Sequence, residues 1–84
     1  MRIYMQTPPS AEQSPRFYQI YLEQDLLQGW MLTKEWGHVG TSGRVTHEHF
    51  ANHEEAQHAL ESSRATQLKR GYQVVFVQGQ TEPR

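Results

Sequence analysis

The chain has 84 residues, room for one small domain and not for two, and a chain of this size buries only ~60% of the surface it exposes when unfolded. Hydrophobic residues make up 36%, and with two Trp, four Tyr and three Phe the large rings have to supply much of the core, which excludes disorder over most of the chain. Eight Lys and Arg against nine Asp and Glu leave a formal net charge of -1, which argues against a polybasic nucleic-acid or membrane binder, and the absence of Cys excludes disulfides, thiolate nucleophiles and Cys-ligated zinc.

Residues 3–6 read as a short strand. Residues 7–15, with Pro8, Pro9 and Pro15 among small polar side chains, suit neither ladder nor helix and form a Pro-rich loop. Residues 17–23 alternate with the period of a half-buried strand, Tyr18, Ile20 and Leu22 on one face and Phe17, Gln19, Tyr21 and Glu23 on the other. After a polar connection holding two leucines, residues 30–39 resume a strand in which Trp30, Leu32 and Trp36 share a face with Lys34, and the two strands make a hairpin. Gly40 and Gly43 bracket a tight reversal, so that residues 44–50 return as a further strand.

At Asn52-His53-Glu54-Glu55 the pattern becomes a capping box, followed by Ala56, Ala59, Leu60 and Ser63 at helical spacing. The stripe is imperfect, since Gln67 falls on it and Leu68 off it. Lys69 and Arg70 suit the negative end of a helix, Gly71 ends it, and residues 72–78 read as a closing strand. The expected organisation is a single domain over residues 1–78 and a disordered tail over 79–84. Its fold class is α+β, an antiparallel sheet of four to six strands with one α-helix packed on one face. The longest apolar run, Val74-Val75-Phe76-Val77, is far short of the ~20 residues of a membrane helix. The first residues lack the apolar core of a signal peptide, so the expectation is a soluble cytoplasmic protein.

The string Trp36-Gly37-His38-Val39-Gly40-Thr41-Ser42-Gly43, preceded by Phe17-Tyr18-Gln19-Ile20 and followed by Phe50, Glu54-Glu55-Ala56 and Lys69-Arg70-Gly71-Tyr72, resembles a WGR domain. That module, named for a Trp-Gly-Arg tripeptide, is found in poly(ADP-ribose) polymerases and in bacterial proteins. The resemblance runs over residues 16–76. It implies an antiparallel sheet carrying one helix, and nucleic-acid binding near DNA ends or breaks, with the tryptophan as a stacking platform and neighbouring basic residues on the backbone. It implies no polymerase activity, because the NAD-binding catalytic domain of those enzymes lies elsewhere in them. Trp36 matches the signature tryptophan, and Gly37 allows close backbone approach. The third position departs from the signature: His38 replaces a permanently charged, five-donor guanidinium with a smaller ring, which weakens phosphate affinity. Arg44 supplies a cation from the strand across the turn.

The candidate nucleic-acid-binding residues are therefore Trp36, Gly37, His38, Arg44, Lys34 and Arg16, with a place in the core as the equal alternative for Trp36, and Trp30, beside Leu32, belongs to the core. Arg64, Lys69 and Arg70 join Arg16, Lys34 and Arg44 as members of a basic patch, since distribution and not total charge sets the local potential; for Lys69 and Arg70 helix-end electrostatics is a competing explanation. His47 and His49 share a strand face, and with His38 across the hairpin they offer donors for zinc. No carboxylate or thiol completes such a site, so they are read as surface histidines with no metal or cofactor. His53 and His58, five apart, are read as solvent contacts. No nucleophile elbow, P-loop or HExxH is present, which argues against an enzyme. The leading expectation is a small standalone nucleic-acid-binding module, a monomer or weak homodimer. The rival is a protein-interaction module using Tyr18, Tyr21 or Tyr72, or a homodimer joined through an edge strand.

Overall fold

The computed structural model describes residues 1–79, in the order β1 (Arg2–Gln6), β2 (Arg16–Gln24), β3 (Trp30–His38), β4 (Arg44–Phe50), α1 (His53–Lys69) and β5 (Gln73–Gln78). Every element expected from the sequence is present within a residue or so of its bounds. The strands form one five-stranded sheet in the order β4-β3-β2-β1-β5, with every neighbouring pair antiparallel. One helix lies against it, an α+β fold. Beyond Gly79, the expected tail lies outside the described residues.

Alternation decides which side of the sheet is core. Ile3 lies opposite Ile20, Met5 opposite Tyr18, and Leu22 opposite Leu32, and all of them are buried together with Ala56 and Leu60 of α1. Trp30 and Trp36 pack partly buried against this cluster. The helix starts where the Asn52 side chain accepts from the Glu55 N–H at 2.9 Å. It ends in a Schellman arrangement: Gly71 at φ +98 turns the chain, its N–H reaching the Leu68 carbonyl and the Tyr72 N–H the Gln67 carbonyl. The imperfect stripe is real, with Gln67 buried and Leu68 exposed. α1 packs chiefly over β2, β3 and β4, and among the described residues no element is layered over β5.

Phe17 keeps the face that alternation gives it but is buried there. It sits on the side away from the helix, yet is only 7% exposed. Its ring fills the space that Gly37 and Gly43 leave empty and stacks beside Tyr4, which stacks in turn on Phe76. His53 also differs from expectation: its ring meets Trp30 edge-on at 4.5 Å instead of standing free in solvent.

The β2–β3 turn is built around Asp25. One carboxylate oxygen accepts from the N–H groups of Leu27 and Gly29, both at 2.9 Å, while Gln28 takes a positive φ of 70 and Leu26 and Leu27 project 100% and 88% exposed. The Gly29 N–H first, then that of Leu27 and the His49 ring, hold the Asp25 carboxyl below its ordinary value of 3.8. The fold therefore favours the carboxylate. Its stabilisation is complete above the ordinary value and is lost as pH falls through the lower, folded one. The Leu27 and Gly29 amide resonances are expected to titrate together with a midpoint below 3.8, and to stop doing so in Asp25→Ala. A midpoint at or above 3.8 would show that these donors do not favour the ionised form.

Candidate nucleic-acid interface

The strand register gathers the aromatic and basic residues at one end of the sheet. Tyr18 lies opposite Trp36, Trp36 opposite Arg44, and Arg16 opposite His38, so directly facing pairs place all five on the helix side. The ladder continues past the strands: the Val39 N–H donates to the Pro15 carbonyl at 3.0 Å, and the Arg16 N–H to the Thr7 hydroxyl at 2.9 Å. Because α1 runs from the far end of β4 toward this one, its C-terminus delivers Lys69 and Arg70 here as well, and Tyr72 follows directly.

Trp36 is half-buried, its ring nearly parallel to that of Tyr18 at 5.8 Å between centroids and 18° between planes. Tyr18 is itself buried and meets Tyr72 edge-on at 5.8 Å. Burial raises the Tyr18 hydroxyl above its ordinary 10.0, while the nearby Arg70 guanidinium pulls it the other way. The phenol stays neutral and serves as a backing plate for the indole. The contact role expected for Tyr18 in a protein-interaction surface is therefore corrected: its ring is occupied beneath its neighbours.

Arg16, Arg44, Lys69 and Arg70 are exposed, and among the described residues none of them has a carboxylate partner. Among the described residues the ion pairs are Arg64 with Glu61 at 3.2 Å and His49 with Asp25 at 3.3 Å, and neither involves these four. Glu23, Asp25, Glu54 and Glu55 belong to the opposite end, at the close of β2 and the start of α1. The small net charge thus conceals a basic pole, with Glu12 of the 7–15 loop and Glu35, next to Trp36 but on the other face of the sheet, as its acidic neighbours in sequence. A cleft of about 280 Å³ opens beside it, walled by Thr7, Ser10, Gln13, Arg16, Arg70 and Tyr72.

Of the candidates named from sequence, Trp36, Gly37, His38, Arg44 and Arg16 come together. Lys34 shares their face but sits further along the strand, its Nζ 3.4 Å from the Ser63 hydroxyl of the helix. Arg64 is likewise apart, paired with Glu61. His47 and His49 project from the face opposite to His38, so the register separates the three; His47 meets Thr33 and His49 meets Asp25. Gly37 serves packing more than ligand approach, since a Cβ there would stand 3.1 Å from the Gly43 Cα. Arg70, read from sequence as a basic-patch member or a helix-end charge, stands at this pole beside Tyr18. The signal was its position next to the helix-ending Gly71, but which pole that helix end reaches depends on the sheet order.

The chain matches the WGR domain family over residues 1–78. It is 28% identical over 71 residues to y4dW of Sinorhizobium fredii (strain NBRC 101917 / NGR234), an uncharacterized protein; the match covers 84% of this chain and 35% of that one, so the chain spans about a third of this relative's length. No solved structure matches it. No helix among the described residues is long and apolar enough to cross a membrane. With the family matched across nearly the whole sequence, and the expected sheet and helix in place, the chain belongs to the WGR domain family.

Proposed function

We propose that this domain binds nucleic acid at strand ends or breaks, Trp36 stacking on an exposed sugar or base while Arg16, Arg44 and Arg70, with His38 beside them, contact the phosphates. WGR domains are associated with nucleic-acid binding. The observation that carries the reading is the direct opposition of Trp36 and Arg44 in the sheet, a partly open indole beside a cation that no carboxylate among the described residues neutralises. A break or end exposes the face of a sugar or base, which an intact duplex hides in its stack, and phosphates on either side suit the flanking arginines. Lys34, bonded to the helix, is set apart from this group. The role is binding and not catalysis, because the pole holds arginines and an indole without a nucleophile paired to a base.

Anisotropy titrations of nicked, blunt and closed-circular duplexes at several salt concentrations test this. Three phosphate contacts predict a log–log salt slope of roughly −2.7, and Arg16→Gln, Arg44→Gln and Arg70→Gln are each expected to remove about 0.9 from it. Nicked and blunt duplexes should bind more tightly than the closed circle. A slope near zero, or one that these substitutions leave unchanged, would place any binding elsewhere on the molecule.

A further inference from the structure

Among the described residues, strand β5 is a sheet edge that no element covers. Its sequence is Gln-Val-Val-Phe-Val-Gln, every residue of it is exposed, Val75 to 53%, and it carries no charge and no proline. Sheets normally guard such an edge with lysine, proline, a bulge or a covering element; of these β5 has only a bulge, at Val75, and α1 lies over the other half of the sheet. A four-residue apolar run on a free edge calls for a partner strand. The strand itself indicates which.

A two-fold contact requires a patch that is complementary to itself. Read antiparallel against a copy of itself, β5 sets Gln73 opposite Gln78, Val74 opposite Val77 and Val75 opposite Phe76. Facing residues must point to the same side of the sheet, and positions an odd number apart in a regular strand do not. Here they do. Gln73 and Gln78 lie opposite Gln6 and Arg2 of β1, one side of the sheet, while Val74 and Val77 lie opposite Met5 and Ile3, the helix side. The irregularity in the β1–β5 ladder, which leaves Val75 without a partner between Tyr4 and Met5, supplies the extra residue that brings the two halves of the strand into phase. The bulge thus makes the edge self-complementary.

Charge points the same way. The segment has none, so two copies meet without repulsion. Antiparallel pairing sends the basic pole of one protomer and that of its partner to opposite ends of the joined sheet, whereas a parallel contact would set them side by side. We propose that two copies of this chain associate through β5, antiparallel and centred between Val75 and Phe76, into a continuous ten-stranded sheet. The two-fold axis stands perpendicular to that sheet, so both helices and both Trp36 sites lie on one face, at opposite ends. On the nucleic-acid reading above the assembly is divalent and joins two strand ends.

Sedimentation velocity over a concentration series, without nucleic acid, tests the contact independently of that reading. The wild-type chain is expected to shift toward twice the monomer mass as concentration rises. Val75→Lys, which brings two ammonium groups together at the axis, should raise the dimer dissociation constant roughly tenfold or more. Its far-UV circular dichroism and its melting temperature, measured at concentrations where both chains are monomeric, should remain those of wild type, since the side chain is exposed. A wild-type chain that stays monomeric throughout overturns the proposal, as does a Val75→Lys dimer of undiminished stability. Should Val75→Lys not fold, amide exchange over β5 in the wild type decides: slowing with concentration supports the contact, and concentration-independent exchange refutes it. Loss of DNA binding with an intact dimer would refute only the divalent reading.

Discussion

Trp36→Ala is expected to weaken binding to nicked or blunt duplex by roughly 5- to 150-fold, the equivalent of the ~1–3 kcal/mol that one aromatic–base stack contributes. The size follows from how the ring is held. Tyr18 backs one side of the indole at 5.8 Å, so the ring is already ordered before a ligand arrives and little freedom remains to be lost on binding. That pairing also means the substitution is not silent for the fold. An aromatic pair contributes about 0.5–1.5 kcal/mol beyond its buried area, so the variant should melt several degrees below wild type. Titrations therefore belong well below the melting range, with folding checked by circular dichroism. Trp36→Phe keeps an aromatic face and should lose less affinity than the alanine variant. The salt slope separates stacking from charge: removing the ring lowers affinity at every salt concentration and leaves the slope unchanged, whereas removing an arginine flattens it. If folded Trp36→Ala binds broken duplexes as wild type does, the stacking role is wrong.

How much of this was legible in the sequence depended on the range of the interactions involved. Local signals carried the elements: the alternation of Tyr18, Ile20 and Leu22, the Asn52 cap, and Gly71 at the helix end all act within a few residues, and each is where its chemistry put it. Even the odd placement of Gln67 and Leu68 was visible from helical spacing. The site was legible only in part. Trp36, Arg44 and His38 belong to one hairpin, so their proximity followed from its turn, and only the register that sets Trp36 opposite Arg44 was missing. Arg70 and Tyr72 reach the same pole through the placement of a seventeen-residue helix across the sheet, which no local pattern encodes. The insertion of β1 between β2 and β5 is equally non-local, and it alone turns Gln-Val-Val-Phe-Val-Gln from a buried-looking strand into an exposed edge. Phe17 lies on the face that alternation gave it, but its burial there was not legible for a related reason. Its burial comes from Gly37 of β3 and Gly43 of the β3–β4 turn, and alternation along its own strand carries no information about them.

Those glycines set the second large effect, Gly43→Ala, which is expected to cost about 1–3 kcal/mol, on the order of 10 °C in melting temperature for a domain of this size. Neither the turn nor its backbone angles are the reason, because Gly40, at φ +90, is the residue that takes the left-handed conformation there. The constraint at Gly43 is contact. A Cβ at that position would overlap the Trp36 carbonyl oxygen, approach the Trp36 carbonyl carbon to 3.0 Å and stand 2.9 Å from the Phe17 Cζ. The carbonyl belongs to the backbone of β3 and cannot swing aside, so β3 and β4 must separate where Trp36 faces Arg44. Stability and binding should therefore fall together, and arginine contacts near the turn should weaken along with the stack. Adding Phe17→Leu distinguishes the two neighbours. It relieves the ring contact and leaves the carbonyl in place, so the double variant should recover little of the lost stability. Gly40→Ala is the companion measurement: nothing stands within 4 Å of a Cβ there, and its cost should come from the positive φ alone, about 1 kcal/mol, without displacing Trp36. A Gly43→Ala variant that melts within about 2 °C of wild type, or one restored by Phe17→Leu, would show that the β3 carbonyl does not limit the approach of β4.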